Sequence, residues 1–434
     1  MKGSSFNDRE MRLLRTNVAL KTPDFDITCD SAYQFLNRNE IYAYGNIEIE
    51  TGQERVWADT AYYQIADDYS LLRGRVVLKD DSLTLFGSRI QYFFENKQAY
   101  FPKRILLEDQ NGKLSSREGR YWENTDSVSF TRQVQVFDSL RYIESDTLRG
   151  NRSAQRYFFY GNVFVDDTEN NVTIAGNRMY ADSAGLRKID GNAWLRKISD
   201  DKRDTTFITA EHIKMVEHKS DSAYDIHAWQ QVRIWSPNYS AFADSIFYDD
   251  RNEVFQLYKN PRVWHNDIQL TAPEIEVGMR NDTLEWLEAY PSPFIVQKDS
   301  ALNRLNQIKG DSLYANFQDN ELQRLRIYPR SELFYFTKDD DDQPDGAIHM
   351  KAKTLRLFFK EDEIEKMKAD ESVDGNYNPE SEQLSKQRLN GFVWEPDLRP
   401  GRPDYTPQRR WPDSLRHAPV AIPPKFKQFL EAGK

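Results

Sequence analysis

The residue types that most often carry out chemistry are thinly scattered through this chain of 434 residues. Two of its six histidines, His212 and His218, lie six residues apart, a spacing that suits metal binding on neither a strand nor a helix. No HExxH, GxSxG, phosphate-loop or GxGxxG motif occurs. The one cysteine, Cys29, excludes an intramolecular disulfide and a cysteine-based zinc site. It is either a reactive thiol or, as we expect, a small buried residue.

Aspartate is the ionisable residue that recurs in a pattern. Its recurring positions are Asp30, Asp59, Asp146, Asp244 and Asp311. Paired carboxylates could serve a glycosidase or a lyase. A catalytic pair needs to occur only once, whereas these residues return once per repeat, so we interpret them as turn or edge residues. The acidic run 339–342 lacks the ligand spacing and distal glutamate of an EF-hand, which predicts a solvated loop. The sequence therefore predicts no enzyme and neither a metal nor a cofactor site.

These aspartates belong to a phrase of a small residue, Asp, a polar residue, an apolar residue and often Tyr. Its clearest copies are Cys29–Tyr33, Ala58–Tyr62, Ala243–Tyr248 and Gly310–Tyr314. A second phrase follows at a short distance, as in Gly45–Ile49, Gly74–Leu78, Gly161–Val165 and Gly191–Leu195. The apolar position of the first phrase returns every 27 to 42 residues, which indicates a stack of similar units.

Each unit has the pattern of strands. Apolar and polar residues alternate, as in Asn46–Glu50, which is typical of a strand with one buried face. Turn-forming clusters such as Asp67–Asp68 and Asp249–Asn252 separate these runs. A unit with one apolar face per strand is unstable alone, so we expect stacked units to form two sheets around an apolar interior.

Two columns of apolar residues would line this interior, the first from the Asp phrase and the second, which includes Phe294, from the Gly-Asn phrase. Small residues such as Gly150, Ala181 and Ala193 would leave space between the sheets. The periodicity leaves open whether the interior is a dry core or a ligand groove. The candidate groove residues are Ile47, Ile49, Tyr63, Val76, Leu78, Ile90, Tyr92, Val134, Val163, Met179, Ile213, Val232, Ile246, Val263, Ile275 and Leu313.

Composition excludes several classes of protein. The net charge is −10 and the pI about 5.3, whereas nonspecific nucleic-acid binding needs clustered Lys and Arg. The mean hydropathy is −0.79 and no run of 18 apolar residues occurs, so we predict no transmembrane helix. The N-terminal residues Met1–Glu10 are polar and lack a signal segment. A half repeat around Val18 predicts that an upstream export segment has been lost.

We predict three segments: a polar stretch 1–13, a repeat array 14–360 and a C-terminal segment 361–434. The last begins with Glu361–Asp370, which has the pattern of a short charged helix. It then holds 9 of the 18 prolines, all within residues 379–424. Proline disfavours central strands and helices, so we expect an extended tail that caps the array, docks a partner or stays mobile.

The Asp-(Ser/Thr)-Ala-x-Tyr and Gly-Asn-Val-x-(Val/Ile) phrases together resemble the OstA-like family, which includes LptA, LptC and the N-terminal domain of LptD. The likeness covers about residues 14–360, and Cys29–Ala32 resembles the phrase that opens the repeats in long OstA-like proteins of Bacteroidetes. The resemblance implies an all-β fold, an elongated β-jellyroll or β-taco. It would hold about twenty consecutive antiparallel strands in two facing sheets, built from ~30-residue repeats.

The resemblance also implies a periplasmic lipopolysaccharide-transport bridge or chaperone, in which the candidate residues shield lipid A acyl chains. Its partners would be lipopolysaccharide and other jellyroll proteins, LptC-like and LptD-like, joined through edge strands. One rival is a structural or adhesive envelope repeat protein with a dry core and no lipid cargo. Another is a carbohydrate-active β-solenoid enzyme, which would need acidic and basic residues clustered at one repeat.

Overall fold

The protein is an all-β molecule in a computed structural model, with 69% of its residues in strands. Within the described residues there is no α-helix, and no helix there has the length and apolar character to cross a membrane. Helical turns of the 3-10 type occur at Glu123–Thr125, Leu384–Lys386 and Pro396–Leu398. The structure describes residues 2–6, 9–21, 26–50, 54–80, 83–110, 112–138, 140–199, 204–218, 220, 223–281, 283–339, 341, 343–360 and 363–422.

The chain forms two compact units. Unit 1 comprises Met1–Glu169, Asn177–Ser183 and Pro407–Lys434, and unit 2 comprises Asn170–Gly176 and Ala184–Thr406. The proline-rich tail is therefore divided, because its first part belongs to unit 2 and its last part to unit 1.

Unit 1 is built from antiparallel strands. They are β1 (Lys2–Phe6), β2 (Arg9–Lys21), β3 (Asp26–Phe35), β4 (Glu40–Glu50), β5 (Arg55–Gln64), β6 (Tyr69–Lys79), β7 (Leu83–Phe93), β8 (Gln98–Phe101), β9 (Ile105–Asp109), β10 (Gly112–Ser116), β11 (Glu118–Trp122), β12 (Ser127–Phe137), β13 (Arg141–Asn151) and β14 (Arg156–Asp167). Strand β15 (Val172–Asp182) contributes its second half to this unit and its first half to unit 2.

Unit 2 is antiparallel as well. Its strands are β16 (Leu186–Ile198), β17 (Thr205–Glu217), β18 (Tyr224–Trp235), β19 (Ser240–Asp249), β20 (Val254–Tyr258), β21 (Arg262–His265), β22 (Ile268–Thr271), β23 (Glu274–Arg280), β24 (Thr283–Tyr290), β25 (Phe294–Asp299), β26 (Arg304–Lys309), β27 (Ser312–Gln318), β28 (Glu321–Tyr328), β29 (Ser331–Lys338), β30 (Pro344–Ala352), β31 (Thr354–Lys360), β32 (Glu363–Asp370) and β33 (Asp374–Pro379).

A long strand passes through two hydrogen-bonded ladders and changes register between them. In β3 and β4, Ser31–Phe35 pairs with Glu40–Tyr44 in one ladder, which we call the first wall. Asp26–Thr28 pairs with Glu48–Glu50 in the other, the second wall. Bulges of this kind bend a strand sharply. From β20 onward each wall has its own, shorter strands. The first wall then consists of β20, β23, β24, β27 and β28, and the second wall of β21, β22, β25, β26 and β29.

The two repeated phrases meet at this bend. Asn46 Nδ2 donates a 2.9 Å hydrogen bond to Asp30 Oδ2, and Gly45 has a φ of +75°. A Cβ at Gly45 would lie 2.3 Å from that carboxylate oxygen, so only glycine fits there. The recurring aspartates thus have a structural role, as predicted. Matching contacts join Asp59 to Gly74 and Arg75, Asp146 to Gly161 and Asn162, Asp244 to Lys259, and Asp311 to Arg330.

Two sequence predictions need revision. The segment predicted as a charged helix is strand β32 in its described part, Glu363–Asp370. Its Met367 and Ala369 pair with Leu357 and Leu355 of β31, so tertiary pairing overrides the helix propensity of its Glu and Lys residues. The described residues also hold 33 strands rather than about twenty, because several phrases split into two shorter strands and pairing continues to β33.

Candidate functional site

The innermost row of the second wall lies beside the bends and is fully buried. Val76, Val134 and Val232 are 0% exposed, and Ile47 is 1% exposed. Small residues stand opposite them across the ladder: Ala58 faces Ile47, Gly87 faces Val76, Ser145 faces Val134 and Ala243 faces Val232. Cys29 belongs to this small set and is 5% exposed, which agrees with the prediction of a buried residue. Burial raises the pKa of its thiol and so lowers its reactivity at neutral pH.

Farther from the bends, the interior rows of unit 1 are only partly covered. In the second wall the half-buried members are Ile49, Leu78, Leu107, Leu114 and Val136, whereas Val56, Leu85, Ile143 and Val165 of the same row are 1–8% exposed. In the first wall half-buried tyrosines alternate with small residues, in the order Tyr63, Ser70, Tyr92, Ala99 and Tyr121. The interior of unit 1 therefore presents apolar and aromatic surface that its own side chains do not fully cover.

The same rows in unit 2 are closed. Its first wall carries Met215, Ile226, Tyr248, Phe255 and Val277, which are 2–8% exposed. Its second wall carries Leu195, Ile208, Ile234, Leu270 and Ile295, which are 2–5% exposed. Large apolar residues face one another here, so the interior of unit 2 is a packed core.

Side chains from both walls also meet at the mouth of unit 2, which is the end of the walls away from the bends. Lys197 Nζ of the second wall lies 3.8 Å from Asp250 Oδ1 beyond the first wall. A ring nitrogen of His265 lies 2.7 Å from the carbonyl oxygen of Asn320. These contacts join the second wall to turns of the first wall and close this side of the core.

At the mouth of unit 1, acidic side chains from both walls lie close together. Glu54 and Asp80 come from the second wall, whereas Glu123 and Tyr92 come from the first. Desolvation raises the pKa of Glu54, and the charges of Asp80 and Glu123 add to that increase. Tyr92 donates a 2.7 Å hydrogen bond to Glu123. Burial raises the pKa of the Tyr92 phenol, and the Glu123 carboxylate raises it further. Carboxylates from facing walls therefore approach one another here, and Lys97 Nζ lies 3.7 Å from Glu123 Oε1.

The structure places the sixteen candidate groove residues in two groups. Four are half-buried and line unit 1: Ile49, Tyr63, Leu78 and Tyr92. Twelve are 0–8% exposed and lie deeper: Ile47, Val76, Ile90, Val134, Val163, Met179, Ile213, Val232, Ile246, Val263, Ile275 and Leu313. Only the first group offers surface to a ligand in this conformation.

Phe294, placed in the second column from the sequence, faces the other way. It packs on the outward side of the second wall with Val296, Phe334 and Leu389. The segment Pro291–Pro293 precedes it, and a shift of one residue in strand register moves a side chain to the opposite face. The inward neighbour at this place is Ile295.

Sequence reasoning missed that the outward face of the second wall is apolar as well. In unit 1 its buried residues include Trp57, Val77, Phe86, Leu106 and Phe164. The C-terminal tail covers them through Leu415, and Ala418, Val420 and Ile422 pack against the same cluster. Adjacent apolar pairs such as Val76-Val77, buried on both faces of the sheet, are the signal that could have revealed this cover.

A separate open cavity of about 890 Å³ lies on the outward face of the first wall in unit 1. Arg120 and Arg149 line it together with Trp122 and Phe158. Among the described residues, no cluster of three or more His, Cys, Asp or Glu side chains could hold a metal ion.

Two protein-family models match this chain. An OstA-like protein model matches residues 1–146, and a model of the LptA/LptD N-terminal domain, an LPS transport protein, matches residues 142–283. Both agree with the all-β repeat architecture and with the phrases that meet at the bends. The chain belongs to the OstA-like/LptA family. This family is related to lipopolysaccharide transport and its members are envelope proteins. No curated protein matches the sequence.

Proposed function

We propose that this OstA-like protein is a periplasmic bridge or chaperone for lipopolysaccharide, and that the interior of unit 1 shields the acyl chains of lipid A. The observation that carries the proposal is the partly open apolar interior of unit 1, lined by Ile49, Tyr63, Leu78 and Tyr92. Each methylene of an acyl chain buried there would contribute about 0.8 kcal/mol. The cargo can be released again only if the interior remains open. The interior of unit 2 is a packed core and does not meet this condition.

The proposed transport role needs no catalytic group in this chain, because shielding depends on apolar burial alone. The repeated aspartates hold the bends and are engaged in that task. A dry envelope repeat protein would have the packing of unit 2 throughout. The half-buried rows of unit 1 favour the transport role over that alternative.

Strand edges supply a means of joining other jellyroll proteins, such as LptC-like and LptD-like partners. Within the described residues β1 pairs with β2 alone, and β32 pairs with β31 alone. Each therefore has a second edge with backbone groups open to a further strand. We propose that edge pairing of this kind extends the apolar interior from one protein to the next.

In-cell photo-cross-linking tests the cargo. A photoreactive residue replaces Leu78 or Tyr92 in unit 1, Met215 or Ile234 in unit 2, and Gln91 on the outward face of the first wall as a control. We expect lipopolysaccharide adducts from the two unit 1 positions and from neither unit 2 position nor Gln91. Equal adducts at Gln91, or none at Leu78 and Tyr92, would refute lipid shielding by unit 1.

A further inference from the structure

The outward face of the second wall carries buried amide side chains that point at the C-terminal tail. Gln135 of β12 is 1% exposed. Its Nε2 donates a 3.0 Å hydrogen bond to the carbonyl oxygen of Pro412, and its Oε1 accepts a 3.1 Å bond from the backbone N–H of Ser414. Its second Nε2 hydrogen goes to the Tyr142 hydroxyl at 2.7 Å. One side chain therefore binds the backbone of two tail residues, i and i+2.

The same geometry occurs twice in unit 2. Gln269 donates to the carbonyl oxygen of Val393 at 2.9 Å and accepts from the N–H of Glu395 at 2.9 Å. Gln307 donates to the carbonyl oxygen of Gln387 at 3.0 Å and accepts from the N–H of Leu389 at 2.8 Å. Both glutamines are 0% exposed. Contact with residues i and i+2 requires an extended peptide, because only there do both groups point to one side.

A carboxylate on the strand next to that of Gln135 also binds the backbone of the tail. Glu144 of β13 is 0% exposed, and its two oxygens accept hydrogen bonds from the backbone N–H groups of Arg410 at 2.9 Å and Trp411 at 3.4 Å. The Tyr142 hydroxyl donates to Glu144 at 2.6 Å and links it to Gln135. The Arg410 guanidinium also pairs with Asp146 at 2.9 Å, which brings a cation close to the buried carboxylate.

Apolar anchors flank these polar contacts. Leu384 and Leu389 are 6–7% exposed and pack with Phe334 and Phe336 of unit 2. Leu415 is 6% exposed and packs with Trp57 and other apolar residues of unit 1. Each anchor removes apolar surface from water and so favours the docked segment. Backbone hydrogen bonds fix the extended conformation, and the leucines give the interaction its sequence preference.

We infer that the outward face of the second wall carries a peptide-binding track in each unit, which reads extended, leucine-anchored chain through Gln135 and Glu144 in unit 1 and through Gln269 and Gln307 in unit 2. The resident ligands are this chain's own segments 410–415 in unit 1 and 384–395 in unit 2. Without the peptide, each of these groups would exchange its peptide hydrogen bonds for water, and the apolar clusters that Leu389 and Leu415 cover would be exposed. We expect this binding to persist when the covalent link is cut. This inference goes beyond the proposed lipid transport and does not rest on it.

Cutting the tail in the full-length protein tests the inference. The best place is Gly401–Tyr405, because a Cβ at Gly401 would meet no atom within 4 Å and Tyr405 is 73% exposed. A protease site replaces this stretch, and cleavage leaves residues 406–434 held by non-covalent contacts alone. We expect the fragment to co-elute with the body in gel filtration. We also expect an excess of synthetic peptide 407–422 to release it.

Two variants identify the contact responsible. Gln135→Ala should raise the dissociation constant of the peptide roughly 10- to 100-fold. Gln135→Glu should raise it at least as much, because a buried carboxylate would face the carbonyl oxygen of Pro412 and lie close to Glu144. Gln307→Ala is the matched control, since it removes an equally buried glutamine whose partners, 387–389, precede the cut. Circular dichroism checks that each body stays folded. A fragment that separates from the cut wild-type protein, or equal retention in Gln135→Ala and Gln307→Ala, overturns the inference.

Discussion

Units 1 and 2 use one repeat to build two different interiors. In unit 2, rows such as Met215, Ile226 and Tyr248 are 2–5% exposed, and Lys197 reaches Asp250 across the mouth. In unit 1, the corresponding Tyr63 and Tyr92 are half-buried, with Ser70 between them. The backbone ladders and the bends are alike. Repeats with the same ladders and bends can therefore differ in how far their own side chains cover the interior.

The bends of the two units are built from the same kind of contact. Asp59 with Arg75 in unit 1 and Asp311 with Arg330 in unit 2 both place a carboxylate against the residue that turns the strand. Selection on the interior can therefore act without disturbing the fold. In such a scaffold the residues at the bends stay the same, and the residues that line the interior can change. The long sheet is then kept while the interior becomes either a packed core or a groove.

The strongest test of the comparison places a charge in each interior. Ile234→Asp puts a carboxylate where the residue is 3% exposed and should destabilise unit 2 by more than about 4 kcal/mol, because an unpaired charge would be buried. Leu78→Asp in unit 1 should cost clearly less, about 1–2 kcal/mol, since that site is half-buried and water can reach it. Chemical denaturation followed by tryptophan fluorescence measures both.

Leu78→Asp should nevertheless abolish lipid cross-linking from a photoreactive residue at Tyr92, while the protein stays folded. Equal losses of stability in the two variants would show that the interiors are packed alike and would remove the distinction between groove and core.

A smaller effect is expected at the mouth of unit 2. Lys197→Glu places a carboxylate next to Asp250 and removes the cation 5.9 Å above the rings of Tyr224 and Tyr248. We expect a loss of about 1–2 kcal/mol and greater binding of a fluorescent apolar dye, because the walls no longer hold together there. Lys353→Glu is the control, since it reverses the charge of an exposed pair with Glu371 outside the mouth. Dye binding that rises equally in both variants would contradict closure by Lys197.

Much of this architecture can be predicted from the sequence. The alternation in Asn46–Glu50 indicates a strand, and the recurrence of Asp30 and Gly45 in separate phrases identifies the bends, because each repeats with its neighbours. The openness of the interior cannot be read from periodicity, since Leu78 and Ile234 have equivalent places in the repeat, yet Leu78 is half-buried and Ile234 is 3% exposed.

The tail shows a second limit. It is hydrogen-bonded by Gln135 and Gln307, which look like ordinary polar residues of strands in the sequence. Only the fold reveals that they are buried on a face that another segment covers. Contacts between residues 279 positions apart, such as Gln135 with Ser414, leave no local pattern.

The smallest effect is expected at the acidic mouth of unit 1. The folded-state pKa of Glu54 is raised, chiefly by desolvation and then by Asp80 and Glu123. A raised carboxyl pKa means that the ionised form destabilises the fold at neutral pH, and that this cost fades as the pH falls through the folded-state pKa toward the unfolded value. Glu54 is an exposed residue, so water screens these charges, and Glu54→Gln should raise the melting temperature at pH 7 by no more than about 1 °C, with no gain near pH 4. Glu285→Gln in unit 2, which loses a 2.7 Å pair with Arg280, should show no such gain at either pH. A gain for Glu54→Gln that persists at low pH would mean that ionisation of Glu54 is not its cause.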